Sequence, residues 1–183
     1  MQRRARGQRT LRFPANATVV AACNHCPCAR LPDACECGPP DRARYRRRLT
    51  GPLLDRIDLV CQVDQVSPLE LVDERLGRTR SAEVRRRVVA ARERQRRRLA
   101  RTEALCNGDM DGRLTRSLVP LDAALTARLL AARDHLGLSG RGHDRVLRVA
   151  RTIADLAGRD QVEVSDVDEA LSYRLDAAEL MAA

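Results

Sequence analysis

Five of the seven cysteines lie between Cys23 and Cys37, and four of them form a pattern: Cys26-x-Cys28, six residues, then Cys35-x-Cys37. Tetrahedral sulfur ligation of zinc needs two such pairs brought face to face by a turn, and Pro27 and Pro32 restrict the loop that would do so. The spacing predicts one structural Zn2+ held by Cys26, Cys28, Cys35 and Cys37. Cys-x-Cys is tighter than the usual two-residue spacer, Cys23 and His25 are competing ligands, and free loop thiols or a redox pair are the alternatives. The sequence has no run of 18 apolar residues and no charged-then-apolar leader, so a cytoplasmic protein without membrane contact is expected. Thiols stay reduced in that compartment, which argues against a disulfide knot. Cys61 in an apolar run and Cys106 after a helical pattern read as small buried or incidental residues.

The elements that would carry this loop must be built without aromatic residues, because Phe, Tyr and Trp together number three among 183 residues. Leu, Val, Ile and Ala must form the core. The net charge is +9, and all 34 basic residues are arginine. Uniform arginine with abundant Ala and Leu reads first as the habit of a GC-rich genome, which weakens charge as an argument for nucleic acid.

Residues 1–10 are polar and arginine-rich, and read as ragged when nothing covers them. Ala17–Cys23 and Ile57–Val63 are apolar and β-branched, short enough for two buried strands, with the Cys loop and a helical segment, Asp41–Leu49, between them. Two strands make no stable sheet alone, so part of this unit is missing. From Ser81 onward the period changes to that of helices. Ser81 is expected to cap a first helix with Val84, Val88, Ala91 and Leu99 on one face. Leu121, Leu125, Leu129, Ala132 and Leu136 make a second stripe ended by Gly137. Ser139 starts a third, with Val146, Ala150, Ile153 and Ala157, closed by Gly158; Ser165 with Asp168 starts a fourth, with Val167, Leu171 and Leu175. The predicted organisation is an α/β portion over 1–67, a linker over 68–80 and an α-helical bundle over 81–183, mostly α overall.

Three blocks stand in a telling order: Phe13 to Cys28, Arg44 to Leu59 and Leu138 to Gly158. Together they closely resemble the C-terminal part of the magnesium-chelatase-like AAA+ ATPases of the YifB/ComM group, from about residue 4 to about 175. The resemblance implies the end of an AAA+ core, an α/β remnant, followed by the family's helical lid. It implies that Asn24, past the end of a strand, is sensor 1, contacting the γ-phosphate or attacking water, with an Asx turn as the simpler alternative. It implies that Arg56, in Gly51-Pro-Leu-Leu-Asp-Arg-Ile-Asp58, is an arginine finger reaching a neighbouring subunit, with a local ion pair to Asp55 or Asp58 as the alternative. Arg141 is the best match to sensor 2, ahead of Arg148 and Arg151; Arg145 and Arg148 are expected to pair with Asp144 or face solvent. Where the family often has Met and Pro, this chain has Cys23 and His25.

A sequence without lysine has no Gly-x-x-x-x-Gly-Lys-[Ser/Thr] loop to cradle phosphates. Leu69-Glu-Leu-Val-Asp-Glu74 imitates a Walker B motif but is interrupted by Glu70 and lies after the sensor-1 position, so it reads as linker. The family implies ATP and Mg2+ as cofactors once the missing core is supplied, a homo-oligomer, expected to be a hexamer, and DNA as partner through ATP-driven branch migration in natural transformation. This chain alone is expected to be inactive. The alternatives are a non-catalytic zinc-clipped basic module that binds nucleic acid or a complete homologue, and an inactive gene remnant.

Overall fold

The computed structural model describes residues 2–6, 9–13, 17–24, 26–30, 34–48, 56–63, 66 and 80–182. His25, Pro32, Leu49, Asp55, most of the expected linker and the Walker B-like run lie outside the described residues, as does the side chain of Leu175. The chain divides into two units, Met1–Arg46 and Arg47–Ala183.

In the first unit, β1 (Gln2–Arg6) and β2 (Arg9–Phe13) pair antiparallel, with Gln2 opposite Phe13 and Arg6 opposite Arg9. The terminus expected to be ragged is thus a two-stranded ribbon. The helical segment expected at Asp41–Leu49 is α1 (Pro39–Arg46), its start set by two prolines, which fit a first turn whose N–H groups need no partner.

The two strands expected from the apolar runs do not form. Residues 17–24 and 57–63 are irregular, with Val19 and Val20 at 85% and 91% exposure, and Leu59 and Val63 also exposed. A strand exists only through paired N–H and C=O groups, and among the described residues neither run has a neighbour to pair with. The α/β portion is therefore absent as a sheet of these runs, and Asn24 does not follow a strand.

The second unit is a helical bundle: α2 (Ser81–Leu99), a 3₁₀ turn (Asn107–Asp109), α3 (Gly112–Leu118), α4 (Ala123–Leu136), α5 (Gly140–Leu156) and α6 (Val164–Ala182). α5 is the hub, packing against α2, α3, the 3₁₀ turn and α6, while α4 packs on α6. Its apolar positions recur at helical spacing as Val146, Leu147, Ala150 and Ala154, all essentially without exposure. They meet Leu125, Leu129 and Ala132 of α4 and Val167, Ala170 and Leu171 of α6. Ala150 and Ala154 keep the hub thin, so neighbouring helices approach closely. A smaller cluster, Leu99, Ala104 and Met110, joins α2 to the turn.

Ends are set by local chemistry. Asp111, Asp122 and Ser139 accept hydrogen bonds from Leu114, Leu125 and Gly142 amides, capping α3, α4 and α5. Gly137 ends α4 at φ 59°, a left-handed conformation that a Cβ would strain. Two expected caps differ. The residue before α2 is Arg80, with no side-chain cap, and Ser81 lies inside the helix. α6 starts one residue before Ser165, and Asp166 reaches back to the Glu163 amide at 2.9 Å, displacing the Ser165–Asp168 arrangement. Leu121 lies before α4 rather than on its stripe.

α2 outruns its packing. Ala91, Gln95 and Leu99 are buried, yet every residue from 81 to 90 is exposed, including Val84 and Val88 on the same face.

Candidate functional site

The four expected zinc ligands come together. The Sγ atoms of Cys26, Cys28, Cys35 and Cys37 all lie within 4.8 Å of one another. Cys26 to Cys28 is 3.0 Å, Cys26 to Cys35 3.4 Å and Cys28 to Cys35 3.7 Å. A tetrahedron with metal–sulfur bonds of about 2.3 Å has sulfur–sulfur edges of about 3.8 Å, so the donor set fits zinc. The first pair is shaped by a turn in which the Ala29 amide donates to the Cys26 carbonyl at 3.2 Å, with Ala29 at φ 55°.

The thiols sort into donors and acceptors. Cys26 is pushed up to about 12, chiefly by its hydrogen bonds to Cys28 and Cys35, and Cys37 is raised chiefly by its bond to Cys28. Cys28 is brought down to about 6, chiefly by the Cys26 thiol and then the Arg30 amide, and Cys35 is lowered chiefly by the Cys37 amide. Sequence reading missed a further participant. Arg42, presented by α1, donates to Cys35 Sγ at 3.4 Å. Four thiolates around a divalent ion carry net charge −2, and this guanidinium offsets part of it. Cys23 is exposed and outside the cluster; Cys61 is also exposed, which leaves the incidental reading of the two, and Cys106 opens the 3₁₀ turn.

The arginines of the bundle divide by burial. Arg151, an alternative to Arg141, is 1% exposed and donates to the carbonyls of Arg159 and Asp160 and to Asp155 Oδ1 at 3.1 Å. Burial pushes its pKa down, and the charge of Asp155 pulls it back. Asp155 also accepts from Arg98 Nη1 at 2.8 Å and Asn107 Nδ2 at 2.9 Å, so this network ties α2, the turn and α5 together. Arg148, the other alternative, donates to the Met110 carbonyl at 2.7 Å. Arg141 is exposed in the first turn of α5 and makes no hydrogen bond or ion pair among the described residues.

Arg145 and Arg148 do not pair with Asp144, which is held by Arg116 at 3.0 Å. Instead they grip Asp58, with Arg145 Nε at 3.0 Å and Arg148 Nη2 at 3.7 Å from Oδ1. Arg174 of α6 donates to the Ile57 carbonyl at 3.1 Å. The segment carrying Arg56 is therefore seated on the bundle, with Arg56 exposed. Asn24 is exposed in irregular chain. No lysine occurs in the sequence to accompany these groups.

The class of molecule is thus a compact arginine-linked helical bundle preceded by a four-cysteine knuckle. Residues 3–71 match the family model described as magnesium chelatase, subunit ChlI, and residues 78–174 match that of the ChlI C-terminal region. The chain belongs to this magnesium chelatase ChlI family. It is 39% identical over 165 residues to a protein of Mycobacterium tuberculosis, covering 88% of this chain and 32% of that one. It is 36% identical over 171 residues to YifB of Escherichia coli and 35% identical to the competence protein ComM of Haemophilus influenzae, covering 93% of this chain and 33% of each relative. The chain spans about a third of the length of these relatives. No described helix is long and apolar enough to cross a membrane.

Proposed function

We propose that this chain supplies the lid and the trans-acting arginine of a magnesium-chelatase-like AAA+ ATPase whose phosphate cradle is contributed by other residues. The observation that carries this reading is the sorting of the arginines. Arg145, Arg148 and Arg151 are engaged within the bundle, while Arg141, in the first turn of α5, is exposed and makes no hydrogen bond or ion pair among the described residues. Arg141 then serves as sensor 2, Arg56 as the finger that spreads positive charge over a phosphoryl group bound by a neighbouring subunit, and Asn24 as sensor 1. ATP with Mg2+ is the nucleotide, a homo-oligomeric ring the assembly, and DNA its substrate in this reading. Without Lys the chain alone hydrolyses no ATP.

Mixing the chain with the remaining, N-terminal part of the Escherichia coli relative tests this. Turnover that appears only in the mixture and that Arg56→Ala lowers by roughly 10³-fold is expected. A mixture without turnover, or one indifferent to Arg56→Ala, refutes the proposal.

The cysteine cluster supports a second, compatible assignment: one Zn2+ held by Cys26, Cys28, Cys35 and Cys37 that closes the loop between the apolar run and α1. Its role is structural, since four sulfur donors leave no open coordination position. Metal analysis of protein purified without added zinc tests it, and an empty site refutes it.

A further inference from the structure

The geometry points to Asp58, Arg145 and Arg148 as positioning residues that fix Arg56 to the helical bundle. The inference deepens the proposed function and rests on Arg56 acting as the finger. Residues 57–63 are irregular, and an arginine beside an unanchored segment would sample many positions, losing most of the advantage of a fixed charge. Here the two residues after Arg56 are held from two helices. Arg145 and Arg148 of α5 converge on the Asp58 carboxylate, and Arg174 of α6 holds the Ile57 carbonyl. The grip comes from the buried side: the Arg145 side chain is 12% exposed, against 55% for Asp58. Arg148 is itself pinned by the Met110 carbonyl, whose residue belongs to the α2–turn core.

Sequence spacing gives this clamp its consequence. Arg141, Arg145 and Arg148 follow at four and seven residues along one rigid helix. A displacement of α5 produced by nucleotide at Arg141 is carried to the segment bearing Arg56, because Arg145 is one turn away on the same rod. The finger offered to a neighbour then follows the state of its own subunit's nucleotide.

The test has two arms. In the chain alone, Asp58→Asn, isosteric and at a half-exposed position, is expected to speed limited proteolysis within residues 57–63 while leaving α5 and α6 resistant; unchanged cleavage overturns the inference. In the mixture with the relative's N-terminal part, Asp58→Asn is expected to lower kcat by about tenfold or more with KM for ATP nearly unchanged, the mark of a misplaced charge rather than lost binding. Arg145→Ala with Arg148→Ala should do the same, and combining them with Asp58→Asn should add little. Full kcat in Asp58→Asn beside a crippled Arg56→Ala overturns the positioning role alone. Indifference of the mixture to Arg56→Ala, or no turnover at all, overturns the finger reading and the positioning role with it.

Discussion

Cys35 and Cys37 contribute two of four sulfur atoms, so replacing both with serine removes half the donor set. We expect about one zinc per chain in the parent and none in Cys35→Ser, Cys37→Ser protein, read by metal analysis. Arg42 touches the Cys35 sulfur and is not itself a donor of the proposed zinc site, so its loss should leave the stoichiometry intact. Arg42→Ala is expected to weaken zinc by roughly 10–100-fold, measured by competition with a chromophoric chelator. An unchanged affinity would reduce Arg42 to a bystander. Arg141→Ala should raise the nucleotide concentration needed for half-maximal turnover in the reconstituted mixture, whereas an equal effect of removing any exposed arginine would cancel its assignment as a sensor.

Among the elements, α2 is two helices in one as far as stability is concerned. Its second half is locked by Asp155, whose carboxylate is fully buried between Arg98 and Arg151. Asp155→Ala strips the counter-charge from a buried guanidinium and is expected to cost about 3–5 kcal/mol in denaturant unfolding. Val84→Ser with Val88→Ser, on the same helix, should change stability by no more than about 0.5 kcal/mol each, since both side chains already face solvent. Much of this architecture was legible beforehand. Leu125, Leu129, Ala132, Val146, Ala150, Val167 and Leu171 are buried as their periodicity requires, and Ser139 and Gly137 mark helix ends because their signals are local. The cysteine cluster was legible for the same reason, its four ligands lying within twelve residues. Ala17–Cys23 and Ile57–Val63 misled because β-branched composition reports a preference for strand, while pairing depends on a neighbour that composition does not reveal. Asp58 was invisible as a partner of Arg145: the two are far apart in sequence, and an arginine-rich chain offers every carboxylate many candidates.

At the scale of the molecule, the two units draw on different sources of stability. The first has a hairpin, one short helix and a thiol cluster, while the second holds the apolar core. Chelation should therefore change the spectrum and proteolysis of residues 17–46 without shifting the melting of the bundle, followed by helical circular dichroism. A common loss of both on chelation would show that they fold as one.

The overhang of α2 has a mechanical meaning. Residues 81–90 form an exposed helical rod about 15 Å long, at a rise of 1.5 Å per residue. Its root is welded through Ala91, Gln95 and Leu99, and its tip begins where the expected linker ends. Such a rod is a lever: a rotation of the bundle by roughly 10° sweeps its tip through about 2–3 Å, by the same helical dimensions. A proline at Ala90 would break this rod from its root while leaving the packed half in place.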